Sequence, residues 1–550
     1  MRNWLFYIFL VFSVTAAYAQ STGLEERKHL IYFTDKANSP YQITQPQVYL
    51  STKAIARRER QHIPITLKDL PVNPAYVAGL KEQEGVKLWY TSRWFNAAVV
   101  ECTPDKLEEL LALPYVRSSQ TLNRTAFSEQ IRQQVKALEN VPAVSSSILL
   151  DTADYGLAFH QADMLGVIQL HEAGFRGEGL SIAVLDAGFP SVNTISAFSH
   201  LFQNQNLLGT FDFVAKQENV FHASSHGTAV LSTMAAYEPG RMIGTAYEAN
   251  YYLLRTENAA SEHHIEEVNW LLAAEYADSA GADVINSSLG YNLFDEPSID
   301  YTYSQMDGNT TIVSKAADFA AATGMLVVVS AGNDGASSWR YIAAPADADS
   351  VLAVGAVDSL GRRAPFSSFG PTADGQIKPD VVALGWNAYV LNSNGALVKS
   401  IGTSFSSPIM AGMATILWQA NAGKTNMELI RLIRSIGSNA TAPDNTIGYG
   451  IPKANKTLTS VLPPRPQQDF HVTNPVTSEN IKLFLPVHLQ QKEAVVHIYD
   501  VKGKLIYKQE LPPHQPQHVL LLNPAVLQKG MYLCRLHTNG NMSTVRFVKL

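Results

Sequence analysis

The stretch Gly402-Thr403-Ser404-Phe405-Ser406-Ser407-Pro408 runs straight into the apolar segment Ile409 to Ala420, which reads as a buried helix. A turn of small residues therefore delivers a serine to a helix start. The first backbone N–H groups of a helix have no partner within it, so they can receive developing negative charge, and Gly402 keeps the approach uncrowded. Pro408 is tolerable on this reading because the first turn does not need all its donors. The alternative for the same string is an N-cap serine in a Gly/Ser turn. The choice turns on whether an aspartate, a histidine and an oxyanion donor stand elsewhere in the chain.

Working outward, residues 151–460 carry the longest alternation of strands and helices. Continuous apolar runs recur at Ser181–Leu185, Asn250–Leu254, Ala282–Ile285, Met325–Val329 and Val351–Val354, with helical stretches at Val230–Tyr237, Ile265–Ala280 and Thr310–Thr323. Such runs fit strands buried on both faces, which predicts a mainly parallel sheet between helix layers, with functional groups at the strands' carboxyl ends.

Before this region, residues 27–120 read as a small α/β unit. It has strands at His29–Phe33 and Trp94–Val100, a helix within Pro46–Arg60, and a helix from Pro104 to about Leu113 capped by Thr103. Residues 121–150 read as an exposed connector in which part of Glu129–Leu138 could be helical. After it, Pro463, Pro464 and Pro466 stiffen a linker over 461–473. Short strands then follow at Ile481–Phe484, Ala494–Tyr499, Leu505–Glu510, Val519–Leu522, Met531–His537 and Thr544–Lys549. Turns at 500–503 and 539–541 make residues 474–550 a small all-β, sandwich-like module.

The chain has 550 residues, 46% hydrophobic and 16% charged, with a net charge of −6. That balance fits several globular domains and gives no general affinity for polyanions, so nucleic acid is not an expected partner. Residues 1–19 read as a signal peptide, with Arg2 ahead of an apolar run from Trp4 and small residues at Ala17 and Ala19; the product is expected to be exported and soluble once cut. Cys102 and Cys534 fall in different predicted domains and are not expected to pair. Without a CxxC or HExxH pattern, zinc chemistry has no support and no metal ligand is assigned.

Three companions to Ser404 emerge. Asp186 ends the run Ser181-Ile182-Ala183-Val184-Leu185 and is followed by Ala187-Gly188, which fixes a carboxylate at a strand end; a plain turn cap would look the same. His226, in Ser224-Ser225-His226-Gly227-Thr228, precedes a helical run and could be a packed or capping residue. A peptidase would use it as a base near neutrality, held in one tautomer by Asp186. Asn333, in Ser330-Ala331-Gly332-Asn333-Asp334-Gly335, is either a turn residue or an oxyanion donor.

These four strings, in the order Asp, His, Asn, Ser, resemble the subtilisin-like serine peptidases. The resemblance implies a subtilisin-like three-layer α/β catalytic domain, with Asp186 as orienting acid, His226 as general base and acid, Asn333 as oxyanion donor and Ser404 as nucleophile. It further implies that Ser288-Leu289-Gly290 pairs with an extended substrate and lines a pocket, with Ala331 and Gly332 as the other wall. Glu257, Glu262, Glu266 and Glu267 could place negative charge near that groove, although most are expected to be solvent-exposed. The chain departs from many relatives in having Ala187 in place of a hydroxyl residue and Ala229 in place of a second histidine. No redox or nucleotide cofactor is implied, and structural calcium is left open.

The N-terminal unit resembles an inhibitory propeptide that templates folding and is removed by self-cleavage within 118–150; a retained accessory domain is the alternative. The C-terminal unit, through Asn474-Pro475, Val496–Lys504 and Gly530–Leu533, resembles the sorting domain of the Bacteroidetes type IX secretion system; a substrate-binding β-module is the alternative. The expected partners are extended polypeptides, the chain's own propeptide and that secretion machinery, and the expected location is outside the cell or on its outer surface. An α/β-hydrolase esterase would need a G-x-S-x-G elbow and the order Ser, Asp, His. A sedolisin would replace the histidine with glutamate, and an inactive binding scaffold would lack a triad residue.

Overall fold

The computed structural model describes residues 25–125, 154–458, 471–472, 481–484, 494–501, 503–511, 519–522, 527–538 and 541–549. The predicted signal peptide, the predicted connector from 126 onward with Glu129–Leu138, the prolines of the predicted linker, Asn474-Pro475 and the turn residues Asn539-Gly540 lie outside the described residues. The chain divides into two compact units, 1–459 and 460–550.

In the first unit, residues 25–125 build an antiparallel sheet from β1 (Arg27–Phe33), β2 (Lys87–Ser92), β3 (Ala97–Cys102) and β4 (Val116–Thr125), in the order β2-β3-β1-β4. Helices α1 (Thr52–Arg60), α2 (Pro74–Lys81) and α3 (Pro104–Leu111) accompany it. Thr103 accepts a hydrogen bond from the Lys106 amide, and Pro104 occupies the first position of α3, as its sequence predicts. Two expectations shift. The predicted strand at Trp94–Val100 begins only at Ala97, because residues 93–96 form the turn from β2, and the predicted connector is part of β4 as far as Thr125. Polar Ser118, Ser119, Gln120 and Thr121 pair with β1 despite lacking an apolar strand pattern.

Central to the fold is a seven-stranded sheet in the order β13-β12-β11-β10-β5-β9-β6. Its strands are β5 (Ser181–Asp186), β6 (Leu207–Asp212), β9 (Asn250–Arg255), β10 (Val284–Ser287), β11 (Leu326–Ser330), β12 (Leu352–Val357) and β13 (Val381–Leu384), and every neighbouring pair is parallel. Side chains alternate across it. Ile182, Val184, Leu326 and Val328 enter one core with helices α7 (His226–Ala235), α10 (Thr403–Ala420) and α11 (Asn426–Ser435). Ala183, Leu185, Val327 and Val329 enter the other, with α8 (His264–Ala280) and α9 (Ile312–Ala322). This is the predicted layering, and both cores explain why the strands read as unbroken apolar runs. The short helices α4 (Phe159–Asp163), α5 (Val167–Glu172) and α6 (Ser199–Gln203), and the hairpins β7 (Tyr237–Glu238) with β8 (Met242–Ile243) and β14 (Trp386–Leu391) with β15 (Leu397–Ile401), surround it. Helix α7 stops at Ala235, so Tyr237 belongs to β7 and not to the predicted helix.

The second core does not end at the central region. Leu30, Val99 and Leu122 from the N-terminal sheet belong to it, while Ile31, Phe33, Val100 and Cys102, on the opposite face, pack with Val72, Leu80 and Leu110 beneath α2 and α3. The N-terminal sheet therefore sits directly on α8 and α9. Polar contacts fix it there: Glu275 accepts from Ser92 Oγ, from the Arg93 amide at 2.9 Å and from the Trp94 amide at 3.1 Å. Asp278, with no exposed surface, is paired with Arg57, Arg58 and Arg93. Burial alone would raise its pKa, but Arg57, Arg93 and Arg58 outweigh that and hold the carboxyl below the usual aspartate value.

The second unit consists of β16 (His471–Val472), β17 (Ile481–Phe484) and β20 (Val519–Leu522) in one sheet and β18 (Ala494–Asp500), β19 (Leu505–Leu511), β21 (Gly530–Thr538) and β22 (Asn541–Lys549) in another. Val472, Leu483, Val496, Ile498, Leu536 and Phe547 share one core between them. Gly503, at φ +81°, closes the β18–β19 turn. Cys102 and Cys534 are buried free thiols, one in each unit.

Candidate active site

Strand β5 delivers Asp186, fully buried, to its carboxyl end beside Arg255 of β9. One carboxylate oxygen, Oδ1, accepts from the Ala187 amide at 2.7 Å and stands 2.8 Å from His226 Nδ1. Two glycines allow this approach. A Cβ on Gly227 would stand 2.4 Å from the Gly188 carbonyl oxygen and 3.0 Å from Asp186 Cβ; one on Gly188, at φ +141°, would meet the His222 carbonyl oxygen at 2.3 Å. The other oxygen, Oδ2, is buried without a hydrogen-bond partner.

His226 is the first residue of α7, with its side chain one-third exposed (33%). Burial disfavours the imidazolium, but the charge and hydrogen bond of Asp186, with a smaller contribution from Glu257, outweigh it, and the pKa lies above the ordinary 6.5. With Nδ1–H donating to Asp186, Nε2 remains as the acceptor. The His226 and Phe405 rings have centroids 6.0 Å apart, which brings the imidazole to the residue after Ser404.

Ser404 is the second residue of α10, so its amide is a first-turn donor with no acceptor inside the helix. Pro408 lies four positions further in, and not within the first turn as the sequence suggested. There it removes the N–H that would bond the Ser404 carbonyl. Ser288 takes that place, donating Oγ–H to the Ser404 carbonyl at 2.8 Å, and Ser404 Oγ donates to the Ser288 carbonyl at 3.4 Å. The proline thus ties the helix start to the segment after β10, and Ser404 Oγ is directed to Ser288, not to His226.

Asn333 follows β11. Its Oδ1 accepts from the Thr403 amide at 2.9 Å and from Thr403 Oγ1 at 3.0 Å. Those two donors fix the amide's orientation and leave Nδ2 as the outward donor, 3.8 Å from where a Cβ on Gly402 would stand. Gly332 adopts φ +106°, and a side chain there would meet Ser368 Oγ at 2.9 Å.

A cleft of about 580 Å³ opens beside His226, lined by Ala187, Glu257, Glu262 and Asp295 with Ser288, Leu289 and Gly290. Ser288 is buried, Leu289 half-buried and Gly290 exposed; Ala331 is fully buried and Gly332 half-buried, and neither lines this cleft. The glutamates differ from expectation. Glu257, Glu266 and Glu267 are 7%, 1% and 0% exposed: Glu257 lies on the loop after β9, Glu266 accepts from the Asn258 and His263 amides of that loop, and Glu267 accepts from Tyr301 and from the Val313 amide. Burial raises Glu257 to about 7, with Asp186 adding to the effect, and burial with the carboxylates of Glu257, Glu266, Glu267 and Asp295 raises Glu262 to about 10. Asp295 and Phe405 were not singled out in the sequence. Asp295 sits outside every recognisable motif, and only the neighbouring serine pointed toward Phe405.

Comparison with known proteins finds matches to three family models. A subtilase family model matches residues 177–450, a Bacteroidota peptidase S8 propeptide model residues 28–142, and a secretion-system C-terminal sorting domain model residues 474–550. Subtilisin DY of Bacillus licheniformis is 30% identical over 268 residues, covering 48% of this chain and 84% of its own length. M-protease of Shouchella clausii (strain KSM-K16) is 28% identical over 383 residues, or 68% of this chain and 88% of its own. Among solved structures, MycP1 with its N-terminal propeptide removed is 22% identical at a TM-score of 0.44, covering 56% of this chain and 98% of that one.

Proposed function

The chain belongs to the subtilase family of serine-type endopeptidases, and from that premise we propose that it is made as a self-processing precursor whose triad is Asp186, His226 and Ser404. Residues 27–120 act as the inhibitory propeptide, cleavage within 118–150 releases them, 151–460 catalyse, and 474–550 direct type IX export to the medium or the cell surface. The substrates are extended polypeptides, and the chemistry needs no redox or nucleotide cofactor.

A rotation about the Ser404 Cα–Cβ bond turns Oγ from Ser288 toward His226 Nε2. His226 takes the hydroxyl proton as Oγ bonds the peptide carbonyl carbon, and Asp186 stabilises the resulting imidazolium. Asn333 Nδ2 and the Ser404 amide donate to the oxyanion. His226 then returns the proton to the leaving amine as the C–N bond breaks, and activates the water that hydrolyses the acyl-enzyme. Ser288-Leu289-Gly290 pairs with the substrate backbone, with Ala331-Gly332 behind the scissile residue. The carrying observation is the 2.8 Å Asp186–His226 contact beside the start of α10.

The test compares the full precursor with its Ser404→Ala form by N-terminal sequencing of products and hydrolysis of a mixed peptide library. Processing and cleavage are expected only with Ser404 present. Equal activity in the two forms would reject Ser404 as nucleophile, and an unprocessed, inactive wild-type chain would reject the peptidase reading.

A further inference from the structure

The cleft beside His226 gathers three carboxyl groups, Glu257, Glu262 and Asp295, that no lysine or arginine pairs with among the described residues. Glu257, more than nine-tenths buried, accepts from Tyr291 and Thr256 at 2.7 Å each, both on Oε1, which leaves Oε2 without a donor. Glu262 Oε1 is buried and has no partner at all. Asp295 accepts the Glu262 amide at 3.0 Å through Oδ2. Among the described residues none of the three is in an ion pair, and the nearby guanidinium of Arg255 is committed to Asp212 at 2.8 Å. Burying carboxyl groups this way is unfavourable unless something charged or hydrogen-bonding completes them.

We propose that this cleft is a subsite for a lysine or arginine side chain of the substrate, at a position flanking the residue that supplies the scissile carbonyl, with Glu257 and Glu262 as specificity-determining residues and Asp295 at the rim. The inference rests on the peptidase reading and adds the class of substrate. The position follows from the sheet order. The cleft lies over β10, β5 and β9, whereas Asn333 follows β11 on the other side of β10. A chain laid along Ser288–Gly290 with its reacting carbonyl at Ser404 and Asn333 therefore reaches past His226 with a neighbouring side chain. A cationic head there meets Glu257 Oε2 and the Glu262 carboxyl in a water-poor setting. A neutral side chain of equal length leaves both unsatisfied, and that asymmetry is the source of selectivity.

The test uses wild-type enzyme obtained from the full chain and quenched peptides carrying, at each position around the cleaved bond in turn, Lys, Arg or their uncharged isosteres norleucine and citrulline. At one flanking position the basic residue is expected to raise kcat/KM at least about tenfold over its isostere, the scale of a charged hydrogen bond. In Glu257→Gln and Glu262→Gln forms, alone and combined, that ratio should fall toward unity; being a ratio within one enzyme, it is insensitive to how much protein folds. A wild-type ratio near unity everywhere overturns the subsite while leaving the peptidase reading intact, because the peptides are still cut. A preference that survives both substitutions also overturns it. If the Gln forms do not accumulate, the wild-type profile decides alone. Failure to cut any peptide overturns the peptidase reading and the subsite together.

Discussion

The two ends of α8 both gather buried carboxyl groups, and among the described residues arginines pair with them at one end only. At the carboxyl end, Asp278 is enclosed by Arg57, Arg58 and Arg93 and its pKa is held low. At the amino end, Glu257 and Glu262 face a cleft with no ion pair, and their pKa values are pushed up to about 7 and about 10. The helix dipole does not explain the contrast, since it favours acids at the amino end. The difference is supply. The N-terminal domain contributes all three arginines around Asp278, so that end is complete within the chain, whereas the cleft end is completed by something that arrives.

The largest effect should come from breaking the complete end. Asp278→Ala strands three arginines in a dry interface and should cost roughly 3–5 kcal/mol, read as a lower Tm or denaturant midpoint of the precursor. The sign with pH follows from the lowered Asp278 pKa: its contribution is in place above the ordinary aspartate value and is lost as pH falls through the depressed one. Docking of residues 25–125, followed by the accessibility of Trp94, should therefore weaken on strong acidification.

Across β10 from the open end, Asn333→Ala should lower kcat about 10²–10³-fold with little change in KM, the scale known for the subtilisin oxyanion asparagine. Ser288→Ala removes the hydroxyl that serves the carbonyl freed by Pro408. Losing it should cost about 1–3 kcal/mol, seen as reduced stability together with a lower kcat from a less well-placed Ser404. The smallest effect is a shift. Because Asp186 raises the His226 pKa, the acid limb of kcat/KM against pH should lie above 6.5, and it should move lower in Asp186→Asn as that charge is lost.

How much of this was legible in the sequence follows from how local each cause is. Ser181–Asp186 could be read because a strand buried on both faces is apolar throughout, and Thr103-Pro104 could be read because capping is settled within four residues. Helix α8 was legible by its length and apolar content, but not the fate of its acids. Glu275 and Asp278 look like solvent-facing residues until the N-terminal sheet covers them, Glu257 and Glu266 until the loop after β9 folds over the helix start, and Glu267 until Tyr301 and the start of α9 reach it. Strand β4 was missed because Ser118–Thr121 is polar; pairing with β1 defines it, and that partner is about ninety residues away in the chain. Asp186, His226, Asn333 and Ser404 were legible as four motifs. The Ser288–Ser404 exchange was not, because it depends on a carbonyl freed by a proline and a hydroxyl brought by the segment after β10.

The central claim is that Ser404 is a nucleophile activated by the His226–Asp186 pair. It is tested most directly by treating the processed enzyme with a fluorophosphonate, which phosphonylates activated serines, and mapping the adduct by peptide mass spectrometry. The account predicts one adduct, on the peptide containing Ser404, with labelling lost in His226→Ala. An unlabelled enzyme that still cuts peptides, or an adduct on another serine, would contradict it.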